Sequence, residues 1–462
     1  MKYQFLRTPT KVPHIRSKYR EIKTEIPAPG TEAILLDLEK YESRSMHGQL
    51  PIVWDRAEDF LVHDKSGNCW IDFTSTIFVA NAGHANPHIV SSIKKLLDHK
   101  LLHTYTFANQ WRAKFLKKLV EMSPSYLEKA FLLSSGTETT ECAVKLMRMY
   151  GLSKTPSKLG IISFLGSMHG RTMGAEMLRG DAGGSSWIGY MDPHIYHLPF
   201  PYPWAVRNKG KTEYDWGNHF EEDMDFLRKK GINFDNVAGF MIESYIGWGA
   251  IFFPKPYIKA LAKFSKEHNI LIAFDDIQGG FGRTGNLFAY EYYDVDADLI
   301  CLGKGMSSSL PLSAVLGRQK IMDIPAFGSM SSTHSGNPLC CAAGLANLEA
   351  IESGNLVHES KRKGELLHGR LSEIKKRFPD VISYVFGKGL VAGVIIKDIK
   401  SGKTGSIFAS IVCEKAMQKG LLLVHTGRES IKIGPPLTIT DDALLEGLDV
   451  LEESIQEVIH GK

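Results

Sequence analysis

The sequence predicts an α/β fold built on a mostly parallel sheet, with a smaller α+β unit in its C-terminal quarter. Three observations carry this. Short apolar runs alternate with helix-length amphipathic segments through the middle of the chain, the pattern of a parallel sheet covered on both faces. After about residue 340 that alternation gives way to long helices and scattered short runs. The chain's 462 residues are enough for more than one domain.

In order, "KAFLLSSG" (residues 129–136) reads as a strand, followed by a helix over 139–150. "LGIISF" (159–164) and "VAGFMIE" (237–243) are the next strands, then a helix over 256–268 and the strand "NILIAFDD" (269–276). "DLICLGK" (298–304) and "LSAVLGR" (312–318) complete the set, their lengths and apolar character fitting buried strands. Helices follow over 339–353 and 357–378. Short runs then appear at "YVFGKGLVAGVII", "GLLLVH" and "SIKIGPPL", and "TITDDALL" opens a final amphipathic helix. The expected division is an N-terminal segment, 1–75, contributing to the smaller domain, a large domain over 76–345, and a small C-terminal domain over 346–462.

Composition excludes several classes. The net charge of +4 comes from 55 basic and 51 acidic residues, which points to neither nucleic acid nor a membrane surface. No apolar stretch is long enough to span a bilayer, and the N-terminus lacks the apolar core of a secretion signal. The six cysteines lack C-x-x-C spacing and sit mostly in apolar runs, as buried thiols of a cytoplasmic protein do. The histidines form no zinc-like pattern, and no metal is expected.

In such sheets, ligands bind beyond the carboxyl ends of the strands. Four features fall there. Ser135, Gly136 and Thr137 open a helix, where free N–H groups attract an anion. Asp275 and Asp276 end a strand before a glycine-rich loop that is not a dinucleotide fingerprint. Lys304, in "ICLGKGMSSS", follows a strand without belonging to a phosphate-loop motif. The small polar loop 331–337 precedes a further helix. Singly, each is also an ordinary turn or cap. Together they supply a Schiff-base lysine, a carboxylate for a pyridinium nitrogen and an anion cradle, the needs of pyridoxal 5′-phosphate.

With those motifs in that order, from "IDFTSTIFVANAGHANP" to "IKIGPPLTITDDAL", the sequence resembles the class III aminotransferases, pyridoxal-phosphate enzymes of fold type I. Lys304 follows Asp275 by 29 residues, the interval of that family. The resemblance implies a seven-stranded, mostly parallel sheet in the large domain. It implies that Lys304 forms the Schiff base and shuttles a proton, and that Asp275 keeps the pyridine nitrogen protonated. Ile277 would pack beneath the ring, Gln278 would bond its phenolic oxygen, and Ser135, Gly136 and Thr137 would hold the phosphate. Thr333 would reach the phosphate of a neighbouring subunit, giving a homodimer with shared active sites. In "GSMHGRT", Met168 and His169 match the segment whose aromatic residue covers the ring; here a thioether takes that place. The implied partners are an amino donor and a 2-oxo acid acceptor.

Two departures concern the substrate. Where glutamate-using relatives carry an arginine before the Pro-Pro, this chain has Lys432, and where they carry its glutamate partner it has Trp248. A lysine binds a carboxylate without the planar fork of a guanidinium, although Arg428 or His425 is near enough in sequence to substitute. With Ile77, these residues define the expected substrate side. The expectation is a bulkier, less acidic donor, or pyruvate as acceptor. The rival readings are a racemase, epimerase or aminomutase of the same fold, and a non-catalytic homologue, which the presence of both Lys304 and Asp275 disfavours.

Overall fold

The computed structural model describes residues 3–181, 184–204, 215–398 and 404–461. Seven strands make the central sheet: β1 (Lys129–Leu133), β2 (Gly160–Phe164), β3 (Ile195–Leu198), β4 (Val237–Glu243), β5 (Leu271–Asp275), β6 (Leu299–Leu302) and β7 (Ser313–Gly317). Their order is β1-β7-β6-β5-β4-β2-β3. Only β7 runs against its neighbours; the remaining pairs are parallel.

Every residue of β2, β4, β5, β6 and β7 is buried. Burial on both faces is why these strands read as unbroken apolar runs rather than as alternating ones. Phe164, Phe240 and Phe274 lie fully inside with Tyr257 and Tyr293, each such side chain contributing about 1.5–3 kcal/mol of burial free energy. The strand β3 was not singled out from the sequence. It is a four-residue edge strand with three half-buried positions, too short and too mixed to announce itself.

The helix after β1, α1 (Gly136–Leu152), begins three residues before its predicted start. The Glu138 carboxylate reaches back to accept from the N–H groups of Ser134 (3.0 Å) and Ser135 (2.7 Å) and from the Ser135 hydroxyl (3.0 Å), and so closes the first turn. Further on come α2 (Lys255–Glu267), α3 (Pro338–Ser353), α4 (Leu356–Arg377), α5 (Gly405–Gln418) and α6 (Asp441–His460).

A second, antiparallel sheet has the order β8 (Ile382–Lys388), β9 (Val391–Ile396), β11 (Ser430–Ile433), β10 (Val424–His425). The N-terminal strand Cys69–Asp72 takes Leu421–Leu422 as a parallel neighbour, with Leu421 opposite Ile71, so the two ends of the chain share a sheet. The six cysteines are unpaired, five of them buried. Among the described residues no helix is long and apolar enough to cross a membrane.

Candidate active site

β1, β2, β4, β5 and β6 run in one direction, so their carboxyl ends share one edge of the sheet, and there the chain leaves a cavity of ≈ 180 Å³. Gly136 and Thr137 line it from the start of α1, and Met168 and His169 from the loop after β2. Glu243 and Tyr245 come from the end of β4, Asp275, Ile277 and Gln278 from β5 and the turn beyond it, and Lys304 from the turn after β6.

Lys304 is held by its neighbours rather than by its own amine. The Asn347 amide on α3 donates to the carbonyls of Gly305 (2.9 Å) and Met306 (3.0 Å) and so fixes the turn. Lys304 itself has a left-handed φ of 43°. Among the described residues nothing hydrogen-bonds its amine. Burial pushes its pKa below the ordinary lysine value, against the pull of Asp275 and Glu243. A lysine so placed can present a neutral amine, which is what a nucleophile or a base needs.

Asp275 is nearly buried and doubly held. Its Oδ2 pairs with His169 Nδ1 at 2.8 Å, and its Oδ1 accepts from the Ile277 N–H at 3.1 Å. Glu243 accepts from the backbone N–H groups of Met168 (3.0 Å) and Gly247 (3.1 Å), tying the loop after β2 to the loop after β4. Burial, with Asp275 adding to it, raises the Glu243 carboxyl to about 7.

The backbone at Gly136 and Gly170 is closely approached. A Cβ on Gly136 would stand 3.0 Å from Ile277, and one on Gly170, whose φ is +142°, would stand 2.1 Å from the Thr137 hydroxyl. That hydroxyl meets Thr172 Oγ1 at 2.7 Å. Ser135, expected in the cradle, does not line the cavity; its N–H and hydroxyl are engaged by Glu138.

The remaining expected residues lie around the cavity rather than in it. Thr333 is exposed, its carbonyl 2.8 Å from His103 Nε2. Ile77 belongs to a run of four left-handed residues, Ser75 to Phe78, with φ between 46° and 66°. For L-residues that conformation costs about 1–2 kcal/mol each. Ser75 Oγ donates to the Gly434 carbonyl at 2.7 Å and helps hold it. Trp248 follows the anchored Gly247; its ring N–H donates to Tyr202 Oη (3.2 Å), and the Arg428 guanidinium lies 4.0 Å from its ring centre. Lys432, on β11, is buried and donates to Gln278 Oε1 at 2.8 Å. His425 is 2.9 Å from Ser410 Oγ and packs edge-on to Phe5.

Sequence reasoning gave no role to Tyr245. Its hydroxyl is buried and has no hydrogen-bond partner among the described residues, and the residue lines the cavity. An unsatisfied hydroxyl and an unbonded amine beside one hole are groups that a bound ligand would satisfy. A fixed carboxylate, an aliphatic Ile277 and the first N–H groups of α1 complete a set that fits pyridoxal phosphate. Among the described residues no cluster of three or more His, Cys, Asp or Glu side chains is placed to hold a metal ion.

The family model described as Aminotransferase class-III matches residues 42–455. An alanine/serine racemase of Pyrococcus horikoshii is 32% identical, covering 97% of this chain and 95% of its own. A probable 4-aminobutyrate aminotransferase of Bacillus subtilis is also 32% identical, with 87% and 92% covered. Among solved structures, an acetylornithine aminotransferase from Elizabethkingia anophelis superposes with a TM-score of 0.76 at 27% identity, over 92% of this chain and 99% of that one.

Proposed function

The chain belongs to the class-III aminotransferase family and is a pyridoxal-phosphate-dependent aminotransferase of fold type I; we propose that Lys304 is its reactive amine. The observation that carries this is an unbonded amine facing the same cavity as a twice-anchored carboxylate. When bound, pyridoxal phosphate supplies an aldehyde for amines and an electron sink for the carbanion left at a donor's Cα. The protein supplies the rest. Lys304 Nζ, its proton affinity lowered by burial, takes and returns the Cα proton. Asp275, oriented by His169 and the Ile277 N–H, would hold the ring nitrogen. Ile277 and Met168 would cover the ring, Gln278 would meet its phenolic oxygen, and Gly136 and Thr137 would hold the phosphate.

The donors we propose are apolar amines or amino acids without a second carboxylate, with pyruvate-like acceptors. Trp248 stands where an acidic partner would be, stacked under Arg428 and bonded to Tyr202, whose ring lies 4.5 Å from Trp204. Lys432 is engaged by Gln278 and does not line the cavity. Offering leucine, alanine, glutamate and simple amines singly to the loaded protein, without a 2-oxo acid, tests this. The absorption of the bound cofactor should change with the apolar donors about tenfold or more faster than with glutamate. A preference for glutamate and 2-oxoglutarate contradicts it.

The working unit is a homodimer in which Thr333 serves the cavity of a second copy. In support, Thr333 is exposed beside the segment carrying Leu102, Tyr105 and Phe107, all exposed, an apolar patch of the sort that marks an interface. A cytoplasmic setting suits the six unpaired thiols. The lobes are read as 76–345, holding the cofactor, and 346–462 with the N-terminal 1–75. The 32%-identical racemase favours a second outcome at the same site, return of the proton to the opposite face of Cα. Loss of optical activity with no 2-oxo acid present would mark that outcome.

A further inference from the structure

Gln278 lines the cavity and Lys432 stands behind it, 154 residues away in sequence and on the other sheet. An ammonium has donors and no acceptor, so the atom it meets at 2.8 Å must be the amide oxygen of Gln278. The amide nitrogen is then fixed as the group left for the cavity. We infer that Lys432 is a positioning residue: by holding the Gln278 oxygen it presents that side chain's N–H to the cofactor ring's phenolic oxygen and places a positive charge behind the donor.

The surroundings fit this. The Lys432 amine lies 4.3 Å from the centre of the Phe78 ring, and no carboxylate forms an ion pair with it among the described residues. The charged groups acting on it are Lys304 from the turn after β6, Glu243 from β4 and Arg283 from the loop beyond β5. Of these only Glu243 favours its charged form; burial, the largest influence, and the two cations oppose it, bringing it down to about 7. Arg283 is itself committed, through Nη1 to the carbonyls of Leu390 (3.0 Å) and Pro435 and through Nη2 to Asn81 (2.6 Å). Gln278 is therefore the polar outlet of Lys432 toward the cavity. While Lys432 holds its proton, below about 7, a charge-assisted donor is a stronger donor, so the Lys432–Gln278 unit favours a negative phenolic oxygen and the deprotonated form of the bound chromophore.

This rests on the proposed role of Lys304, and the test separates the two. The pH midpoint of the visible absorption change is measured on the cofactor-loaded protein without substrate, alongside cofactor affinity. Lys432→Met should raise the midpoint by about one pH unit, a roughly tenfold change in proton affinity. Lys432→Arg should restore it. Gln278→Leu should raise it as well, and adding Lys432→Met to Gln278→Leu should do nothing further, because the charge acts through the amide. If Lys432→Met does not fold, Lys432→Gln, which removes the charge and keeps a donor, should move the midpoint the same way. An unmoved midpoint in variants that keep the band, or additive shifts in the double variant, overturns the inference while leaving Lys304 intact. A wild-type protein with no visible band overturns both.

Discussion

Lys304 and Lys432 reach the same buried region from different sheets, one from the end of β6 and one from the middle of β11. Burial depresses both amines; Asp275 and then Glu243 oppose the depression at Lys304, and Glu243 opposes it at Lys432. What separates them is their hydrogen bonds. The turn bearing Lys304 is fastened through its backbone by Asn347, leaving the amine unbonded at the cavity. Lys432 hands its amine to Gln278. In the proposed division, the lysine whose nitrogen is left unbonded is the reactive one, and the lysine whose nitrogen is bonded positions a neighbour.

The comparison breaks most sharply at Lys304. Lys304→Ala should lower the single-turnover rate with an apolar donor by about 10⁴-fold, with the melting temperature held, since an unbonded amine is removed. A comparable loss in Lys432→Ala would erase the distinction. Asp275→Asn comes next, at about 10²- to 10³-fold in turnover, while cofactor affinity measured by equilibrium dialysis changes much less. A larger loss of affinity than of rate would make Asp275 a tether.

On the substrate side, Trp248→Glu combined with Lys432→Arg should shift the ratio of kcat/KM toward 2-oxoglutarate over pyruvate by about tenfold, because a guanidinium can take a carboxylate with both forks. An unchanged ratio would place selectivity elsewhere, with Arg428 the next residue to vary. The smallest effect is on stability. Lys432 titrates near 7 when folded and at the ordinary 10.5 when unfolded. Between those values the unfolded chain binds the proton that the folded chain has released, so this group makes stability rise with pH. Lys432→Met should flatten that rise in melting temperature between pH 7 and 10, and an unflattened curve would mean that the amine keeps its proton.

The same contrast explains what could be read from the chain. Lys304, Asp275 and the strands delivering them were legible because buried parallel strands are continuous apolar runs, and their carboxyl ends share an edge once the sheet is parallel. Ser135 was read as part of the cradle although Glu138, three residues on, spells a capping arrangement, and the structure gives it to Glu138. The left-handed run Ser75 to Phe78 has no glycine to advertise it. The Lys432–Gln278 bond joins β11 to the turn after β5, 154 residues apart; no local pattern encodes such a contact. Tyr245 looked like one more aromatic in a buried run, and only the structure shows its hydroxyl without a partner among the described residues.

The central claim is that of the two lysines reaching this region only Lys304 carries the cofactor. Borohydride reduction of the cofactor-loaded protein, followed by peptide mapping by mass spectrometry, tests it directly. The account predicts the pyridoxyl mass on the peptide containing Lys304, and no label on Lys432. Label on Lys432, or spread among surface lysines with Lys304 unmodified, would contradict it.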